Sequence, residues 1–299
     1  MFIGVEIGGT KLQIGVGTGD GVLVGDVVRL KVEPSKGAQG ILSQVPDGVR
    51  RALSEHRLEM NRVEAMGVGF GGPVDSTSGR TIKSHQVDGW EDFELASWFE
   101  SVFGLRTRLG NDSDVAGLAE ATLGAGRGAE TVVYSNIGSG IGGALVRRGE
   151  LYTGQGIGSM EIGHLRMIAS DPDRPWLTLE ELSSGWAMNR IAQTVLNDKN
   201  ATVVELAAAV KAGDHQAALA WSDAVERWGV AFANVATLLC PNRFIVGGGV
   251  ALQGDLLLTP LREVFRRNIF PPFADRCQLV LAELGETMVV QGALLLAAR

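Results

Sequence analysis

Runs of apolar residues along the chain predict an alternation of short strands and helices, and hence an α/β protein. Residues 2–7 and 12–17 predict two strands joined by a glycine turn, and residues 65–70 and 243–249 predict two more. Apolar residues at helical spacing predict helices over residues 40–60, 94–102, 111–124, 178–196, 202–211, 214–239, 256–267 and 287–298.

A second strand–turn–strand unit, over residues 131–146, repeats the opening of the chain. Placing Glu6-Ile7-Gly8-Gly9 over Asn136-Ile137-Gly138-Ser139 aligns the two turns. The alignment predicts two related halves, each beginning with a hairpin whose turn faces a common cleft. Independent origin of two glycine-rich hairpins is the alternative, and these two segments do not decide between them.

The composition is that of a globular protein rather than a disordered or fibrous one. The chain has 299 residues, 45% of them hydrophobic and 20% charged, and this length suits one large or two moderate domains. Its net charge of −7 argues against nucleic acid as a partner, because nucleic acids bind basic surfaces. No signal peptide is visible, and no apolar run reaches the roughly 18 residues of a membrane span. We therefore expect a cytoplasmic protein without a membrane partner.

The chain has two cysteines, Cys240 and Cys277, which are too few for a disulfide scaffold or a cysteine-rich zinc site. Both lie in apolar sequence, where buried thiols are common. We interpret both as structural residues.

Three glycine-rich turns are the first candidates for a binding site. Glycine lets backbone N–H groups approach an anion closely, and neighbouring hydroxyl and ammonium groups add further donors. The alternatives are an ordinary hairpin turn for the first, tight packing for the second and a sterically restricted helix start for the third. The candidates are Gly8, Gly9, Thr10 and Lys11 in the first turn, Gly138, Ser139 and Gly140 in the second, and Gly247, Gly248 and Gly249 in the third.

Two polar segments are candidates for chemistry on a substrate that carries hydroxyl groups. Asp112 follows Asn111 where a helix is predicted to begin, and an acid at position 112 or 114 is also expected to cap that helix. In Glu161-Ile162-Gly163-His164, with Glu180 farther along, carboxylates could accept two hydroxyl protons each and a neutral imidazole could both donate and accept. The alternative for this second segment is a solvated charged loop.

In their order along the chain, these segments resemble the ROK family of sugar kinases and sugar-responsive repressors. The resemblance covers essentially the whole chain and implies the actin/hexokinase/Hsp70-like ATPase fold, with two α/β domains around a central cleft. The matching segments are EIGGTK (6–11) and NIGSGIGG (136–143) for the phosphate loops, GFGGPVD (69–75), NDSDVAGLAE (111–120), EIGH (161–164) and LEELSSG (179–185) for the sugar side, and IVGGGV (245–250) for adenosine.

The resemblance implies phosphorylation of a hexose hydroxyl by ATP with Mg²⁺, the hexose being glucose, fructose, mannose or an N-acyl hexosamine. Asp112 carries over as the general base, Glu6 as an indirect ligand of Mg²⁺, and the three glycine turns as the nucleotide site. We expect a small domain over residues 1–112 together with the C-terminal helix 287–299, a large domain over 113–286, and a homodimer. The residues implied in sugar binding are Asn111, Glu161, His164, Glu180, Gly71 and Gly72.

The chain departs from the family pattern at the zinc site. Many ROK proteins bind zinc through the histidine of Glu-x-Gly-His and three cysteines that follow it, whereas no cysteine closely follows His164 here. We therefore expect no zinc, with His164 available to the sugar. We expect Pro172, Pro175 and Trp176 to hold this loop by packing.

Four further departures lie around the site. Glu6 replaces the commoner aspartate and Ser139 the usual threonine, and both changes retain the chemical group. Ser84-His85-Gln86 stands where a Pro-Asn pair is frequent, and Met160 stands where glycine is frequent. Because these last two lie on the sugar side, they leave the identity of the sugar open.

Three other functions are weighed against the kinase. A non-catalytic sugar-binding or regulatory protein is disfavoured because Asp112 and the glycine turns are retained. A sugar-sensing repressor is disfavoured because only five residues precede Glu6, which leaves no room for a winged helix. A polyphosphate-dependent glucokinase is disfavoured by the net charge of −7, because polyphosphate grooves favour basic residues.

Overall fold

The computed structural model describes residues 1–84, 86–169 and 172–299, and these form a mixed α/β protein, as predicted. The strands are β1 (Phe2–Ile7), β2 (Lys11–Gly17), β3 (Val28–Lys31), β4 (Ala65–Phe70), β5 (Val74–Asp75), β6 (Arg80–Thr81), β7 (Arg106–Asn111), β8 (Thr131–Ile137), β9 (Ile141–Arg147), β10 (Glu150–Leu151), β11 (Arg166–Ile168), β12 (Trp176–Thr178), β13 (Arg243–Gly247) and β14 (Gln278–Leu281). The helices are α1 (Gly37–Leu42), α2 (Val45–Glu55), α3 (Leu95–Phe103), α4 (Asp112–Thr122), α5 (Leu179–Ser183), α6 (Gly185–Val195), α7 (Val203–Lys211), α8 (His215–Leu239), α9 (Asp255–Asn268) and α10 (Met288–Ala297).

The first sheet has the strand order β3-β2-β1-β4-β7. β1 and β2 form an antiparallel hairpin, and β1, β4 and β7 run parallel. Helices cover both faces, since Ile14 of β2 faces α2 while its neighbour Gly15 faces Val290 of α10. This double coverage explains why β1, β2 and β4 are nearly continuous apolar runs in the sequence.

The second sheet has the strand order β10-β9-β8-β13-β14. β8, β13 and β14 run parallel, and β10 is antiparallel to β9. The strands of each sheet can be numbered from one to five in the order in which they occur along the chain. Both sheets then have the same spatial order, 3-2-1-4-5. This shared topology supports the prediction of two related halves over the alternative of two unrelated hairpins.

Contacts within the chain divide it into two units. The first unit comprises Met1–Gly128, Ala144–Ser159 and Leu284–Arg299, and the second comprises Ala129–Gly143 and Met160–Glu283. α4 and α10 therefore lie in the first unit, where α10 packs on β1 and β4. The domain limits expected from the sequence, at residues 112 and 287, stay a prediction.

Several elements differ from those predicted. The helix expected over 178–196 is two helices, because Ser184 is extended and caps α6 by accepting a hydrogen bond from the Ala187 N–H. The helix expected over 40–60 is likewise split into α1 and α2. The sequence pattern missed β3, β7 and β14, which are short or alternate charged with apolar residues.

None of the helices within 1–84, 86–169 and 172–299 combines the length and the apolar character needed to cross a bilayer.

Candidate functional site

The turn between β1 and β2 carries a buried carboxylate held by two side chains. The turn closes through a backbone hydrogen bond from the Gly8 N–H to the Lys11 carbonyl, at 2.9 Å. Glu6 lies before the turn and is 6% exposed. Its Oε1 is 3.1 Å from Lys11 Nζ, and its Oε2 accepts a hydrogen bond from Gln13 Nε2 at 2.9 Å.

Gln13 is held in one orientation by its neighbours. It is the cross-strand partner of Glu6 and is fully buried. Its Nε2 donates to Glu6 and also to the Glu286 carbonyl, at 3.2 Å, so the amide nitrogen faces two acceptors. Gln13 Oε1 has no hydrogen-bond partner within the described residues, and an unsatisfied buried oxygen costs roughly 1–3 kcal/mol. The Gln13 amide therefore lowers the stability of the fold while it holds the Glu6 carboxylate in place.

Burial is the main influence on the titration of Glu6. It raises the pKa of Glu6 above the usual value, and the nearby charge of Asp112 raises it further. The Lys11 ammonium and the hydrogen bond from Gln13 act in the opposite direction without cancelling the rise. The two carboxylates, Glu6 and Asp112, are therefore within electrostatic reach of one another in the first unit.

Strand register brings Asp112 to the first turn. Ile7, Phe70 and Asn111 are register partners at the carboxyl ends of the parallel strands β1, β4 and β7. The residues that follow them, Gly8, Gly71 and Asp112, therefore lie at one edge of the sheet. A β-carbon at Gly71 would be 3.6 Å from Asp112 Oδ2 and 3.4 Å from the Gly8 Cα.

Asn111, rather than either acid, caps the helix that Asp112 begins. Asn111 Oδ1 accepts hydrogen bonds from the N–H groups of Ser113 and Asp114, at 2.9 and 3.4 Å. Its Nδ2 donates to the Gly72 carbonyl at 2.9 Å. The expectation that an acid at 112 or 114 caps α4 is therefore wrong. Both acids lie in the first turn of α4, where the helix dipole favours negative charge.

The turn between β8 and β9 is held by backbone contacts within the second unit. The Gly138 N–H donates to the Gly140 carbonyl at 3.0 Å. The first N–H groups of α6, those of Gly185 and Trp186, donate to the carbonyls of Gly138 and Ser139 at 2.8 and 3.3 Å. Two of the turn's carbonyls are thereby used to satisfy a helix N-terminus.

Glu180 also belongs to the support of this second turn. Its Oε2 accepts a hydrogen bond from the Ile141 N–H at 2.7 Å. A β-carbon at Gly140 would be 2.4 Å from the same oxygen, so Glu180 lies directly against the turn. The role of Glu180 as a sugar ligand stays a prediction.

The third glycine turn follows β13 and is shaped mainly by packing against β8. A β-carbon at Gly247 would be 2.5 Å from the Tyr134 hydroxyl, and one at Gly248, where φ is 87°, would be 2.5 Å from the Ile137 carbonyl oxygen. At Gly249, apart from its chain neighbours and the backbone of its own helical turn, no heavy atom of the described residues lies within 4 Å of such a carbon. Steric restriction therefore explains the first two glycines, and Gly249 is the one of the three that leaves room for a ligand.

Glu161 and His164 lie next to one another in the second unit. Ile162–His164 form one turn of 3₁₀-helix, in which Ile162 and Gly163 are buried. The side chains of Glu161 and His164 are 64% and 68% exposed, with Oε2 and Nδ1 3.7 Å apart. The pair is accessible to a polar ligand, and the same exposure is compatible with a solvated loop.

The segment after His164 is a hairpin, and packing does not hold it as expected. β11 and β12 pair antiparallel, with Ile168 opposite Trp176. Trp176 is 57% exposed, and Pro172 and Pro175 are exposed as well. The prediction that these three residues hold the loop by packing is therefore wrong, because backbone pairing joins its two arms.

A charged cap completes this hairpin. Thr178 and Glu181 form a capping box at the start of α5, and Arg174 Nη2 is 2.7 Å from Glu181 Oε1. The hydrogen bonds from Thr178 and Arg174 lower the pKa of Glu181 to about 2. Glu181 thus links Arg174 of the hairpin to the start of α5.

Within residues 1–84, 86–169 and 172–299, no three His, Cys, Asp or Glu side chains are grouped so that they could hold a metal ion. Cys277 is buried, which raises the pKa of its thiol to about 12, and Cys240 lies within electrostatic reach of it. The prediction of no zinc is not tested by this geometry and stays a prediction.

Two residues next to the first turn were not among the sequence candidates. Gln13 lies in a segment that the sequence predicts as an apolar strand, although it is a polar residue in the run KLQIGVG. Gln86 lies over the turn, since a β-carbon at Gly9 would be 1.7 Å from Gln86 Oε1. Only the departure of Ser84-His85-Gln86 from the family pattern pointed to this segment, and His85 lies outside the described residues.

Comparison with known proteins identifies the family. The model of the ROK family matches residues 2–299. The chain belongs to the ROK family. The resemblance derived from the ordered motifs is thereby confirmed over nearly the full length of the chain.

Individual ROK proteins resemble the chain at a similar level. A glucokinase of Halalkalibacterium halodurans is 29% identical, over 97% of this chain and 93% of its own length. Among solved structures, a ROK family glucokinase from Streptomyces griseus in complex with glucose and AMPPNP is 29% identical, with a TM-score of 0.83 over 99% of this chain and 98% of its own. A ROK hexokinase from Thermus thermophilus is 28% identical, with a TM-score of 0.83 over 99% and 97%. The fold is therefore that of the actin/hexokinase-like ATPases, as predicted.

Proposed function

We propose that this protein transfers the terminal phosphoryl group of ATP to a hydroxyl group of a hexose, with Asp112 as the general base. The coarser statement, that the protein is a sugar kinase, rests on membership of the ROK family and on its glucokinase and hexokinase relatives. The finer statement, that Asp112 acts as the base, rests on the geometry of the first unit.

The observation that carries the proposal is that Asp112 and the first glycine turn lie at the same edge of the first sheet. Asp112 Oδ2 lies 3.6 Å from the position of a Gly71 β-carbon, which is itself 3.4 Å from the Gly8 Cα. A hydroxyl group bound against this edge could give its proton to Asp112 while its oxygen attacks a phosphoryl group held at the turn. A positioned base of this kind contributes about 10²–10⁴-fold to a rate.

The donor set around Glu6 suits Mg²⁺. Magnesium prefers oxygen ligands and keeps several of its waters, and Glu6 offers a buried carboxylate with Asp112 nearby. Glu6 Oε1 already faces a cation, Lys11 Nζ at 3.1 Å. When bound, Mg²⁺ would offset charge on the phosphates of the nucleotide. Glu6 would hold it, directly or through a water.

The glycine turns supply the remaining groups that such a transfer needs. Phosphoryl transfer depends chiefly on positioning and on donors aimed at the phosphate oxygens. We assign this role to the N–H groups of Gly9 and Thr10 and to those of Ser139 and Gly140. Gly249, with open space around it, is assigned to the adenosine end.

We assign the sugar hydroxyl groups to the polar side chains that the ROK family resemblance implies. Glu161 and His164 are exposed and adjacent. Asn111 and Glu180 each have backbone partners already, so their contribution would use the second amide hydrogen and the second carboxylate oxygen, respectively. The sugar-side residues are Asn111, Gly71, Gly72, Glu161, His164 and Glu180.

An activity panel tests this proposal. Purified protein is mixed with ATP, Mg²⁺ and in turn glucose, fructose, mannose, N-acetylglucosamine or N-acetylmannosamine, and ADP release is followed. We expect sugar-dependent ADP release with at least one hexose, and less turnover when polyphosphate replaces ATP. Sugar binding in calorimetry without ADP release from any sugar would instead support the non-catalytic member of the family.

The homodimer, the cytoplasmic location and the absence of zinc remain proposals of the same kind. Metal analysis of the purified protein tests the last of them. We expect less than 0.1 zinc per chain as an order of magnitude, because the Cys₃His ligand set of a structural site is missing after His164. One zinc per chain would contradict this.

A further inference from the structure

The two oxygens of the Glu6 carboxylate have partners of very different mobility. Oε2 is bound by Gln13, which is fully buried and is fixed by a second bond to the Glu286 carbonyl. Oε1 is bound by Lys11, whose side chain is 45% exposed at the start of β2. A long, half-exposed lysine can leave its partner far more easily than a buried glutamine can.

The charges of this cluster also favour exchange at Oε1. Glu6 and Asp112 are within electrostatic reach of one another, and two carboxylates at close range repel. Lys11 supplies one compensating positive charge at 3.1 Å from Oε1. A buried carboxylate left without any cation would be costly, so Lys11 is expected to leave Oε1 only when another cation takes its place.

We propose that Lys11 is an exchangeable counter-ion of Glu6, which neutralises Oε1 in the nucleotide-free protein and yields it to a divalent cation when the nucleotide binds. This inference rests on the proposed function, since the cation is the one that accompanies ATP. Gln13 is the positioning residue of the exchange, because it retains Oε2 and so leaves a single oxygen to the cation. Lys11 thereby competes with a divalent cation for Glu6 Oε1 until the nucleotide binds.

Manganese binding to the nucleotide-free protein tests the exchange without sugar or turnover. Free Mn²⁺ is measured by electron paramagnetic resonance during titration of the wild type, of K11M, which keeps the length of the side chain, and of the double variant K11M/E6Q. We expect K11M to bind Mn²⁺ about tenfold more tightly than the wild type, because a unit charge next to Oε1 is removed. K11M/E6Q should lose that gain.

Lys31 provides the matched control. It is the cross-strand partner of Lys11 on β3, is exposed, and carries the same charge. K31M should leave the Mn²⁺ affinity unchanged, whereas an equal gain in K31M would mean that overall charge, and not Lys11, controls the site. Equal Mn²⁺ affinity of K11M and the wild type, or a gain that persists in K11M/E6Q, would overturn the proposal. Lys11→Gln serves as the second variant if thermal melting shows that K11M is unfolded.

The titration separates this inference from the proposed function. It contains neither sugar nor ATP, so a protein that phosphorylates none of the panel sugars can still show the exchange. Conversely, a failure of the exchange leaves the ADP-release assay unaffected.

Discussion

The turns that follow β1 and β8 occupy the same place in two sheets of the same topology, yet their surroundings differ. Around the first turn several polar and charged side chains make contacts, with Lys11 and Gln13 on Glu6 and with Gln86 over Gly9, beside a backbone hydrogen bond from the Val32 N–H to the Thr10 carbonyl. Around the second turn the contacts are to the backbone, and they come from α6 and from Glu180. The residue that corresponds to Glu6 is the neutral Asn136.

The difference indicates different roles for the two halves of the chain. The first half gathers the charged groups, Glu6, Lys11 and Asp112, next to its turn. In the second half, the carbonyls of the turn accept hydrogen bonds from the first N–H groups of α6. Changes in the first half should therefore alter catalysis and cation binding, and changes in the second half should alter stability.

The largest expected effect is that of D112N. Asparagine keeps the size and polarity of the side chain but cannot accept the hydroxyl proton, so kcat should fall about 10²–10⁴-fold. Sugar affinity in calorimetry and thermal stability should stay near those of the wild type. Wild-type-like kcat in D112N would remove Asp112 from the role of base.

D114N is the matched control for this experiment. Asp114 lies on the same turn of α4 as Asp112 but is buried. We expect kcat within a few fold of the wild type, because the change alters no group assigned to the reaction. An equal loss in both variants would point to disruption of the helix start and not to loss of a base.

The second half is tested by G185A. A β-carbon at Gly185 would be 2.4 Å from the Gly138 carbonyl oxygen, so the helix and the turn must separate and lose their hydrogen bond. We expect a loss of about 2 kcal/mol in the free energy of unfolding, measured by denaturant titration. G249A is the control and should change stability little, because the added carbon would meet no heavy atom of the described residues within 4 Å beyond its own neighbours in the chain. A fully stable G185A would show that the contact between α6 and the second turn contributes little to stability.

How far the sequence could predict this arrangement depends on the range of the interactions. The glycine turns and hairpins were predictable because turn chemistry and alternation are local. That Asp112 and Gly8 lie at one edge of the sheet follows from parallel pairing of β1, β4 and β7, and β7 was missed because RTRLGN lacks an apolar run. The assignment of Asp112 as the base therefore came from the family resemblance and not from the hydrophobic pattern.

The partners of individual polar groups were beyond prediction. Asn111 caps α4 in place of an acid, and Glu180 binds the Ile141 N–H. Which side chain satisfies a given backbone group depends on distances between segments far apart in sequence. For the same reason, the sequence could not show that Trp176 is exposed and not packed against other residues.

A smaller effect is expected from E6Q, which tests the cost of charge in the first half. Because burial raises the pKa of Glu6 in the folded protein, its stabilising contribution is present at low pH and is lost as the pH rises through that pKa. E6Q should therefore be more stable than the wild type near neutral pH, by about 1 kcal/mol. Thermal melting at several pH values should show this advantage shrink towards low pH. Equal stability of both proteins at all pH values would mean that Lys11 and Gln13 fully compensate the burial of the charge.

The smallest effect concerns a strained position in the second unit, where charge plays no part. Met160 stands where glycine is frequent in the family, and its φ of 58° lies in the left-handed region, which costs an L-residue roughly 1–2 kcal/mol. M160G removes this strain but gives the unfolded chain more freedom, worth roughly 0.5–1 kcal/mol. We expect a net gain of about 0.5 kcal/mol in denaturant titration, whereas M167G in β11 should be destabilising because it only loses a half-buried side chain. If M160G loses as much stability as M167G, the packing of the Met160 side chain contributes more to stability than the strain of its backbone costs. Backbone conformation would then matter less to the stability of the second half than the comparison of the two turns indicates.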